Sequence, residues 1–598
     1  MFYTQRAVDG RGNGVSGCAK RRSRAGIRAA IHGRTIALLL VAATPGFAQQ
    51  SSHAPQTDLG RTERRFDALE SERERIKNRS VPLPRLAAPS TPVADTRPLF
   101  RLASVVVDGS TLLPPDLVAA AYRAYLGKTV SQADLAAISR AISDRYREAG
   151  YHLTRAIVPP QDIQGGRIHI KVIEGRVTDI VIKGERAAVF GIRKVLDPIV
   201  HEGVSRHATL ERQLLLVNDL PGVKIADTSI EEIGTGSGRF RLTVFVESWR
   251  NYTAVSLDDR GTAAIGPLQS FFSSSFNSYL VSGDTFGVNV STTPSKPDEL
   301  AFGRVFYNAP VGIDGARVGF IASYGLDRPG DERAAIGTND QSQTYELRGS
   351  VVPIRTRDAS LWLTGAVGAG EFDEWTTFGT NYHDHIRTVS VTADYQMHDW
   401  LNGWNYWTVG ARQGLPILGA SQRGDPFLSR DDGSGTFSKL NIYYTRYQPL
   451  SDIWSVKMSF AGQLVSSPLL AAEEFYLGSA FGRGWWGEET GGDNGVGGSV
   501  ELRFDQKLNN SFLKGYQLYG YIDHTNAWNF HSGGDVLSLT LTGVGARFYL
   551  PYDLQTGVEV GVPLEYHIPD EQTRDVRAFF YVSKAFKFCP GSTQMRCS

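Results

Sequence analysis

The sequence predicts a membrane β-barrel of about sixteen antiparallel strands, preceded by two small α/β units and a charged helix. The C-terminal part alternates apolar and polar residues, with charges on the second face. Residues 99–248 contain a β-α-α-β-β order twice in succession. Beyond the N-terminus, no apolar run reaches the ~18 residues that a membrane-spanning helix needs. Membrane β-strands do not require such a run, because their lipid-facing and lumen-facing residues alternate.

The first 48 residues are predicted to be a secretory signal peptide. Basic residues precede an apolar core from Ile36 to Ala43, and Gly46-Phe47-Ala48 follows before the cleavage site. The alternative is a disordered basic tail, but all three regions of a signal peptide are present in order: a basic region, an apolar region and small residues at the cleavage site. Removing residues 1–48 leaves 55 basic and 61 acidic residues, a net charge of −6. A mildly acidic exported chain argues against a nucleic-acid partner.

Residues 57–79 predict a helix that is charged nearly all round. Opposite charges recur at helical spacing, as in Glu70 and Arg73, and apolar residues are few. Such a helix does not fit an ordinary core, so it lies in a water-filled lumen or is a solvated tail, and composition alone favours the tail. Residues 80–98, with five prolines, predict an extended linker.

Residues 99–175 form the first predicted α/β unit. Ser131 is the predicted N-cap of a helix that ends at Gly150-Tyr151. Two strands follow the helix, His152–Val158 and Arg167–Ile173. The segment between these strands contains Pro160-Gln161-Asp162.

Residues 176–248 repeat that order as a second unit. The predicted elements are strand Val177–Lys183, helices Ala188–Val200 and Leu210–Asn218, and strands Val223–Ile230 and Arg239–Glu247. Two tandem units of about 75 residues suit small interaction domains, and neither contains a convincing catalytic cluster.

Residues 250–588 are predicted to be the barrel. Val500, Leu502 and Phe504 alternate with Glu501 and Arg503. Charges on the second face exclude a dry sandwich core, and no fixed-period repeat indicates a solenoid or propeller. The count of such segments gives roughly sixteen strands over about 340 residues, the spacing of an outer-membrane barrel.

A single arginine, Arg483, lies between Gly482 and Gly484 in a loop flanked by alternating strands, and Trp485 follows. Glycines let a backbone approach another surface, and arginine offers a rigid fork of donors to a carboxylate. If Leu518 and Ile522 face lipid, then Tyr519, Tyr521 and Asp523 face the lumen. Asp523 is therefore the predicted partner of Arg483, the alternative being that Arg483 is a solvated loop residue.

Other motifs give weaker signals. Gly482 to Gly487 fits a dinucleotide pattern, but no buried parallel strand precedes it and no helix follows, so no cofactor is expected. His383-Asp384-His385 is a loop triplet without further ligands, and no metal is expected. Cys589 and Cys597 would close a small loop in an oxidising compartment or remain reduced. No catalytic motif is found, and we expect no enzyme activity.

Three groups of residues resemble one family. The segments Tyr146 to Gly150-Tyr151, Val158 to Pro160-Gln161-Asp162, and Val172 to Glu174-Gly175 resemble a first POTRA-domain signature. Phe475 to Gly478, continuing to Trp485, resembles the tip of a long inward-folded extracellular loop, residues 466–496. Tyr521-Ile522-Asp523 resembles an inner-wall strand motif. Together they are similar to the outer-membrane transporters of two-partner secretion, the filamentous-haemagglutinin and haemolysin exporters.

This resemblance implies two periplasmic POTRA domains, a sixteen-stranded barrel in the Gram-negative outer membrane, and a removable plug helix at residues 57–79. The implied partner is an unfolded secreted exoprotein with an N-terminal secretion domain, recognised partly by strand addition and passed through the pore. Outer-membrane lipid and the barrel-assembly machinery are implied as further partners. Adhesin, cytolysin and contact-dependent toxin all remain open as cargo.

Two departures from the family pattern concern the loop tip and the C-terminus. Gly482 and Trp485 stand where a hydrophobic residue and Tyr or Phe are usual, and residues 589–598 extend past the final strand. The alternative functions are an outer-membrane insertase of the same superfamily, which usually has more POTRA domains and no plug, and a passive porin, which needs no periplasmic units.

Overall fold

The structure is a computed structural model, and it describes residues 59, 60, 62, 63, 65, 66, 81–84, 95–262, 264–478, 481, 483, 491–530, 536–567 and 576–588. The predicted signal peptide, the extension with Cys589 and Cys597, and the loop residues Gly482, Gly484 and Trp485 lie outside the described residues. No helix within these ranges is long and apolar enough to cross a membrane.

The first α/β unit has a three-stranded sheet with a helix packed on it. Its elements are β1 (Pro98–Arg101), β2 (Ser104–Asp108), α1 (Pro115–Ala119), β3 (Thr129–Ser131), α2 (Gln132–Glu148), β4 (Arg155–Ile157) and β5 (Arg167–Ile173). The sheet order is β2-β5-β4, with β2 and β5 parallel, and β1 pairs with β3 separately. The short pairing of β1 with β3 was not predicted.

Helix α2 begins and ends as its sequence predicts. The Ser131 side chain accepts a hydrogen bond from the Asp134 N–H and the Asp134 carboxylate accepts one from the Ser131 N–H, a capping box. Its inner face buries Leu135, Ile138, Ile142 and Tyr146. Gly150 follows with φ +91°, a conformation that favours glycine at a helix C-terminus.

The second unit repeats this arrangement. Its elements are β6 (Arg176–Lys183), α3 (Ile192–His201), α4 (His207–Asp219), β7 (Val223–Glu232) and β8 (Arg239–Ser248). The sheet order β6-β8-β7 again places the last strand at the centre, parallel to the first.

Two predicted elements of these units extend beyond their counterparts in the structure. The predicted helix Ala188–Val200 is wrong at its start, because a 3-10 turn at Ala187–Phe190 is separated from α3 by Gly191, whose φ is +70°. The predicted strand His152–Val158 is shortened to β4. Pro159 and Pro160 follow one residue after β4 and lack the N–H that a continuing ladder needs.

Sixteen antiparallel strands close into a barrel, in which β9 pairs with both β10 and β26. The strands are β9 (Asn251–Asp258), β10 (Gln269–Asn277), β11 (Thr285–Thr292), β12 (Leu300–Val311), β13 (Ala316–Asp327), β14 (Asn339–Arg355), β15 (Ala359–Thr376), β16 (Gly379–His398), β17 (Trp404–Gly414), β18 (Ser438–Pro449), β19 (Trp454–Val465), β22 (Asn494–Lys507), β23 (Gly515–Trp528), β24 (Leu537–Leu550), β25 (Leu554–His567) and β26 (Arg577–Phe588). β20 (Phe475–Tyr476) and β21 (Gly491–Gly492) pair within the loop between β19 and β22. The predicted fold class is confirmed.

The barrel wall separates an apolar outer face from a polar inner face. On β23, Leu518 and Ile522 are exposed outside, whereas Tyr519, Tyr521 and Asp523 are buried inside. On β22, Val500 and Leu502 point outward and Glu501 inward. Burial of charged side chains requires partners, so the inner face determines where the loop and helix can bind.

The second unit contacts one end of the barrel, here termed the near end. Asp219 at the end of α4 accepts two hydrogen bonds from Arg355, at 2.6 and 2.7 Å. Arg212 of α4 donates to the Val352 carbonyl at 2.9 Å. The connection between β19 and β22 leaves from the opposite, far end, because β9 begins next to the second unit and successive strands alternate in direction.

Candidate functional site: the barrel lumen

The loop between β19 and β22 packs against the inner wall. Phe475, Leu477 and Phe481 of this loop form an apolar cluster with barrel residues. The barrel members of the cluster are Ala461, Ala527, Leu537, Leu539 and Leu541. Because these wall residues alternate with outward-facing ones, the loop lies inside the barrel and not across its rim.

Beyond this apolar anchor, Arg483 reaches strands β22 and β23. Its Nε donates to Asp523 Oδ2 and its Nη2 to Asp523 Oδ1, both at 3.1 Å, so the fork engages both carboxylate oxygens. Nη2 also donates to Ser499 Oγ at 3.1 Å, and Nη1 contacts Glu501. We term Arg483, Ser499, Glu501 and Asp523 the loop-tip cluster.

Three arginines share the carboxylate of Glu501. It is 1% exposed and contacts Arg483, Arg503 at 2.6 Å and Arg547 at 3.2 Å. The guanidinium of Arg483 also lies 3.9 Å from the centre of the Tyr521 ring, a cation–π distance. Buried charges need such multiple partners, and removing one member of a desolvated pair typically costs ~3–5 kcal/mol, less where water enters.

The structure thus brings together Arg483, Tyr521 and Asp523, and it places Tyr519 on the same inner face, as the sequence predicted. It adds residues that the sequence analysis missed. Glu559 of β25 accepts hydrogen bonds from Tyr519 at 2.6 Å and Tyr521 at 3.0 Å. A signal for Glu559 was present, because it lies between Val558 and Val560, which face outward.

An N-terminal segment also enters the lumen. Residues 59, 60, 62, 63, 65 and 66 are helical, and we term them the lumenal helix segment. The Phe66 ring lies 5.6 Å from that of Phe271 and 5.9 Å from that of Phe302, both on inner faces of strands. Arg65 pairs with Asp258, and Glu63 accepts from Ser323 at 3.2 Å. These described residues lie in the lumen, the arrangement that composition alone did not favour.

The described part of the linker packs on the second unit. Val81 is fully buried in the core of that unit. Thr228 of β7 donates to the Pro82 carbonyl at 2.6 Å, and Arg357, from the turn after β14, donates to the Val81 carbonyl at 2.6 Å. Residues 81–84 are thus fixed between the second unit and the near end of the barrel.

The motif residues of the first unit form its internal framework. The Glu174 carboxylate accepts hydrogen bonds from the Thr111 N–H at 2.7 Å, the Leu112 N–H at 3.1 Å and the Tyr146 hydroxyl at 3.0 Å. Burial alone would raise the pKa of Glu174, but these donors lower it below its usual value. Burial, together with the neighbouring Glu174, raises the pKa of Tyr146 to about 12.

Gln161 completes the edge of the first sheet. Its side-chain Oε1 accepts from the His169 N–H at 2.7 Å, and its Nε2 donates to the His169 carbonyl at 2.8 Å. The carboxamide therefore replaces the peptide group that β4 would have supplied beyond Ile157. Pro160 and Asp162 flank it at the surface, and Asp162 accepts from Gln164 at 3.3 Å.

Gly150, Tyr151 and Gly175 lie at the junction of the two units. The Gly150 carbonyl accepts from the His207 N–H at 2.9 Å, and the Gly175 carbonyl from the Ser205 N–H at 2.9 Å. A Cβ on Gly175 would come 2.4 Å from the Leu153 carbonyl oxygen, so the close approach requires glycine. The predicted motif therefore joins the units as well as building the first.

The prediction that the histidine triplet lies in a loop is wrong, because His383, Asp384 and His385 are part of strand β16. Within the described ranges, no group of three or more His, Cys, Asp or Glu side chains is arranged to hold a metal ion. His383 pairs with Asp373 and His385 with Glu371 on the neighbouring strand β15, while Asp384 points to the opposite side of β16. These are cross-strand pairs at the far end of the barrel.

Two protein families match this chain. Residues 100–175 match the POTRA domain, ShlB-type. Residues 239–548 match the haemolysin secretion/activation protein ShlB/FhaC/HecB family, which is more than half of the chain.

Relatives and solved structures agree with these matches. The chain is 24% identical over 471 residues to the outer membrane transporter CdiB of Escherichia coli, covering 76% of each. It is 22% identical to the heme/hemopexin transporter protein HuxB of Haemophilus influenzae over 60% of this chain and 63% of the relative.

Two solved structures share the fold. CdiB from Escherichia coli superposes with a TM-score of 0.68 at 22% identity, over 88% of this chain and 98% of that one. CdiB from Acinetobacter baumannii superposes with a TM-score of 0.62 at 17% identity, over 90% of this chain and 100% of that one. The chain belongs to the haemolysin secretion/activation protein family ShlB/FhaC/HecB, the outer-membrane transporters of two-partner secretion.

Proposed function

We propose that this chain binds an unfolded exoprotein through its two α/β units and passes it through the barrel once the lumenal helix segment has left. The near end of the barrel is then periplasmic and the far end faces the exterior. The observation that carries the proposal is the loop-tip cluster, in which an inward-folded loop is held to the wall by Arg483.

Polar chemistry of the lumen supports passage of an extended chain. Its wall presents charged side chains instead of a continuous apolar surface: Glu501 pairs with Arg547, Asp523 with Arg483, and Glu559 with the hydroxyls of Tyr519 and Tyr521. A wall of this kind does not retain apolar side chains of a moving polypeptide, because it provides little apolar area for them to bury. No catalytic step is part of the proposal.

The α/β units support binding of the exoprotein before transport. Strands β2 and β4 form the edges of the first sheet, and β6 and β7 those of the second. An unpaired strand edge accepts an extended segment through main-chain hydrogen bonds. The proposed partners are the N-terminal secretion domain of an exoprotein, outer-membrane lipid around the barrel, and the barrel-assembly machinery during insertion.

Secretion of the cargo tests the role of the loop-tip cluster. We expect Arg483→Ala to reduce secretion about tenfold, because it removes the fork that holds the loop to Asp523 and Glu501. The matched control is Arg547→Ala, which removes another guanidinium from Glu501 but leaves the loop attached. Normal secretion by Arg483→Ala, with normal barrel insertion, contradicts the proposal.

Conductance in planar bilayers tests the lumenal helix. Deletion of residues 57–79 should raise the ion conductance of the purified protein, because polar side chains then no longer fill the pore. Replacement of residues 85–94 by a Gly/Ser segment of equal length is the control, since it leaves the helix in place. Unchanged conductance after the deletion means that the segment does not obstruct the pore.

A further inference from the structure

The far end of β9 contacts three separate elements through three consecutive residues. Asp258, Asp259 and Arg260 follow one another where this strand ends, and we term them the β9 end. The sequence analysis did not single them out. They meet the lumenal helix segment, the tip of the inward-folded loop and the last barrel strand.

Asp258 holds the lumenal helix segment. Its side chain is 1% exposed, and both of its carboxylate oxygens receive the Arg65 guanidinium, Oδ1 at 3.2 Å from Nη1. Oδ1 also accepts the N–H of Arg260 at 3.1 Å. One carboxylate therefore binds the helix and fixes the backbone of Arg260.

Arg260 holds the loop tip. Its Nη1 donates to the main-chain carbonyl of Arg483 at 2.5 Å, and its Nη2 pairs with Glu559 at 3.0 Å. The guanidinium lies 4.6 Å from the centre of the Phe579 ring. Arg483 is thus bound at both ends: its side chain by the loop-tip cluster and its carbonyl by Arg260.

Asp259 fixes the β9 end to the last strand. Its carboxylate Oδ1 accepts the Phe580 N–H at 2.7 Å, and its own N–H donates to the Phe580 carbonyl at 3.4 Å. These bonds continue the pairing past Asp258, which is opposite Tyr581. The backbone between Asp258 and Arg260 is therefore held in place, and side chains are the parts that can exchange partners.

We propose that Arg260 is a positioning residue that couples the lumenal helix segment to the loop tip. When the helix leaves, Asp258 loses the Arg65 guanidinium and keeps the N–H of Arg260 as a donor. The loss of a charged partner is costly, and Arg260 on the same strand end carries a guanidinium that can replace that of Arg65. Glu559, which then loses Arg260, still accepts hydrogen bonds from the hydroxyls of Tyr519 and Tyr521. Arg260 turns to Asp258 and releases the Arg483 carbonyl, so departure of the helix loosens the loop. This step rests on the proposed exit of the helix during transport.

Hydrogen–deuterium exchange of the full-length purified protein tests this coupling without cargo. The measured quantity is the exchange rate of the loop peptide that contains Phe481 and Arg483, in four proteins: wild type, Arg65→Ala, Arg260→Ala and the double variant. Arg65→Ala should speed this exchange about fivefold in the wild-type background. A fivefold change is at the lower end of the coupling usually measured between two sites. In the Arg260→Ala background the same substitution should change it by less than about twofold.

Two controls separate coupling from loss of structure. Heat-modifiable migration on gels shows whether each barrel is folded, and Arg260→Lys keeps the charge but not the fork, so it should restore only part of the coupling. An equal effect of Arg65→Ala in both backgrounds, or wild-type loop exchange in Arg260→Ala, overturns the proposal. The proposed function has its own test: normal secretion by Arg483→Ala contradicts that function, whatever the exchange measurement shows about the coupling.

Discussion

Two glutamates, the half-buried Glu174 in the first α/β unit and the buried Glu501 in the barrel, satisfy their charges in different ways. Glu174 accepts hydrogen bonds from main-chain N–H groups and a tyrosine within its own unit. Glu501 is surrounded by three arginines, one of which arrives on a loop. Main-chain donors cannot separate from Glu174 without unfolding of the unit, whereas an arginine on a loop can separate from Glu501 while the barrel stays folded. The first site therefore maintains a domain, and the second connects a loop to the barrel wall.

The largest effect on stability is expected for Glu174→Ala. It leaves the Thr111 and Leu112 N–H groups and the Tyr146 hydroxyl without their acceptor, which should cost the first unit about 3 kcal/mol of unfolding free energy. Denaturant-dependent hydrogen exchange of peptides within residues 99–175, in the full-length protein, measures this cost. Glu148→Ala, at the exposed end of α2, is the control and should change it little.

A smaller effect is expected for Gln161→Ala. The substitution removes two hydrogen bonds to His169 at the edge of the sheet, where water partly replaces them, so about 1 kcal/mol is expected. The same exchange measurement applies, with Gln164→Ala as the surface control. A cost as large as that of Glu174→Ala contradicts the view that Gln161 only completes an edge.

A further effect is a dependence on pH at the junction of the two units. Burial, with His207 facing it at 5.6 Å, lowers the pKa of His152 to about 4. The unfolded histidine has a pKa near 6.5, so stability from this site is present above about pH 6.5 and is lost as the pH falls toward 4. Melting of the first unit between pH 7.5 and 4.5 measures this.

His152→Phe is the matched control for that pH dependence. Phenylalanine keeps an aromatic ring at the junction but does not titrate, so its stability profile between pH 6.5 and 4 should be flatter. If wild type and His152→Phe lose stability equally over this range, other groups cause the acid sensitivity.

The sequence predicted the inner face of the barrel well, because successive side chains of a β-strand alternate between its two faces. Assigning one residue to the outer face therefore assigns all the others. Once Leu518 and Ile522 were placed outside, Tyr521 and Asp523 had to lie inside. The guanidinium of Arg483, on a loop whose glycines allow close approach to the wall, indicated that its partner is a carboxylate. Strand order then placed β22 and β23 side by side.

The contacts that sequence patterns missed join residues far apart in the chain. Arg260 meets Arg483 and Glu559 only because the barrel closes β9 against β26. No local pattern near Arg260 specifies that closure. Likewise, charge spacing predicted a helix before residue 80, but its described residues are placed in the lumen by distant partners such as Asp258, Phe271 and Phe302.

The most direct measurement is secretion of the cargo by Arg483→Ala, Asp523→Ala and the double variant. If the two residues act as one contact, each single variant loses secretion about tenfold and the double variant is no worse than the weaker single one. Secretion at the wild-type level in both single variants, with folded barrels in the outer membrane, contradicts the account.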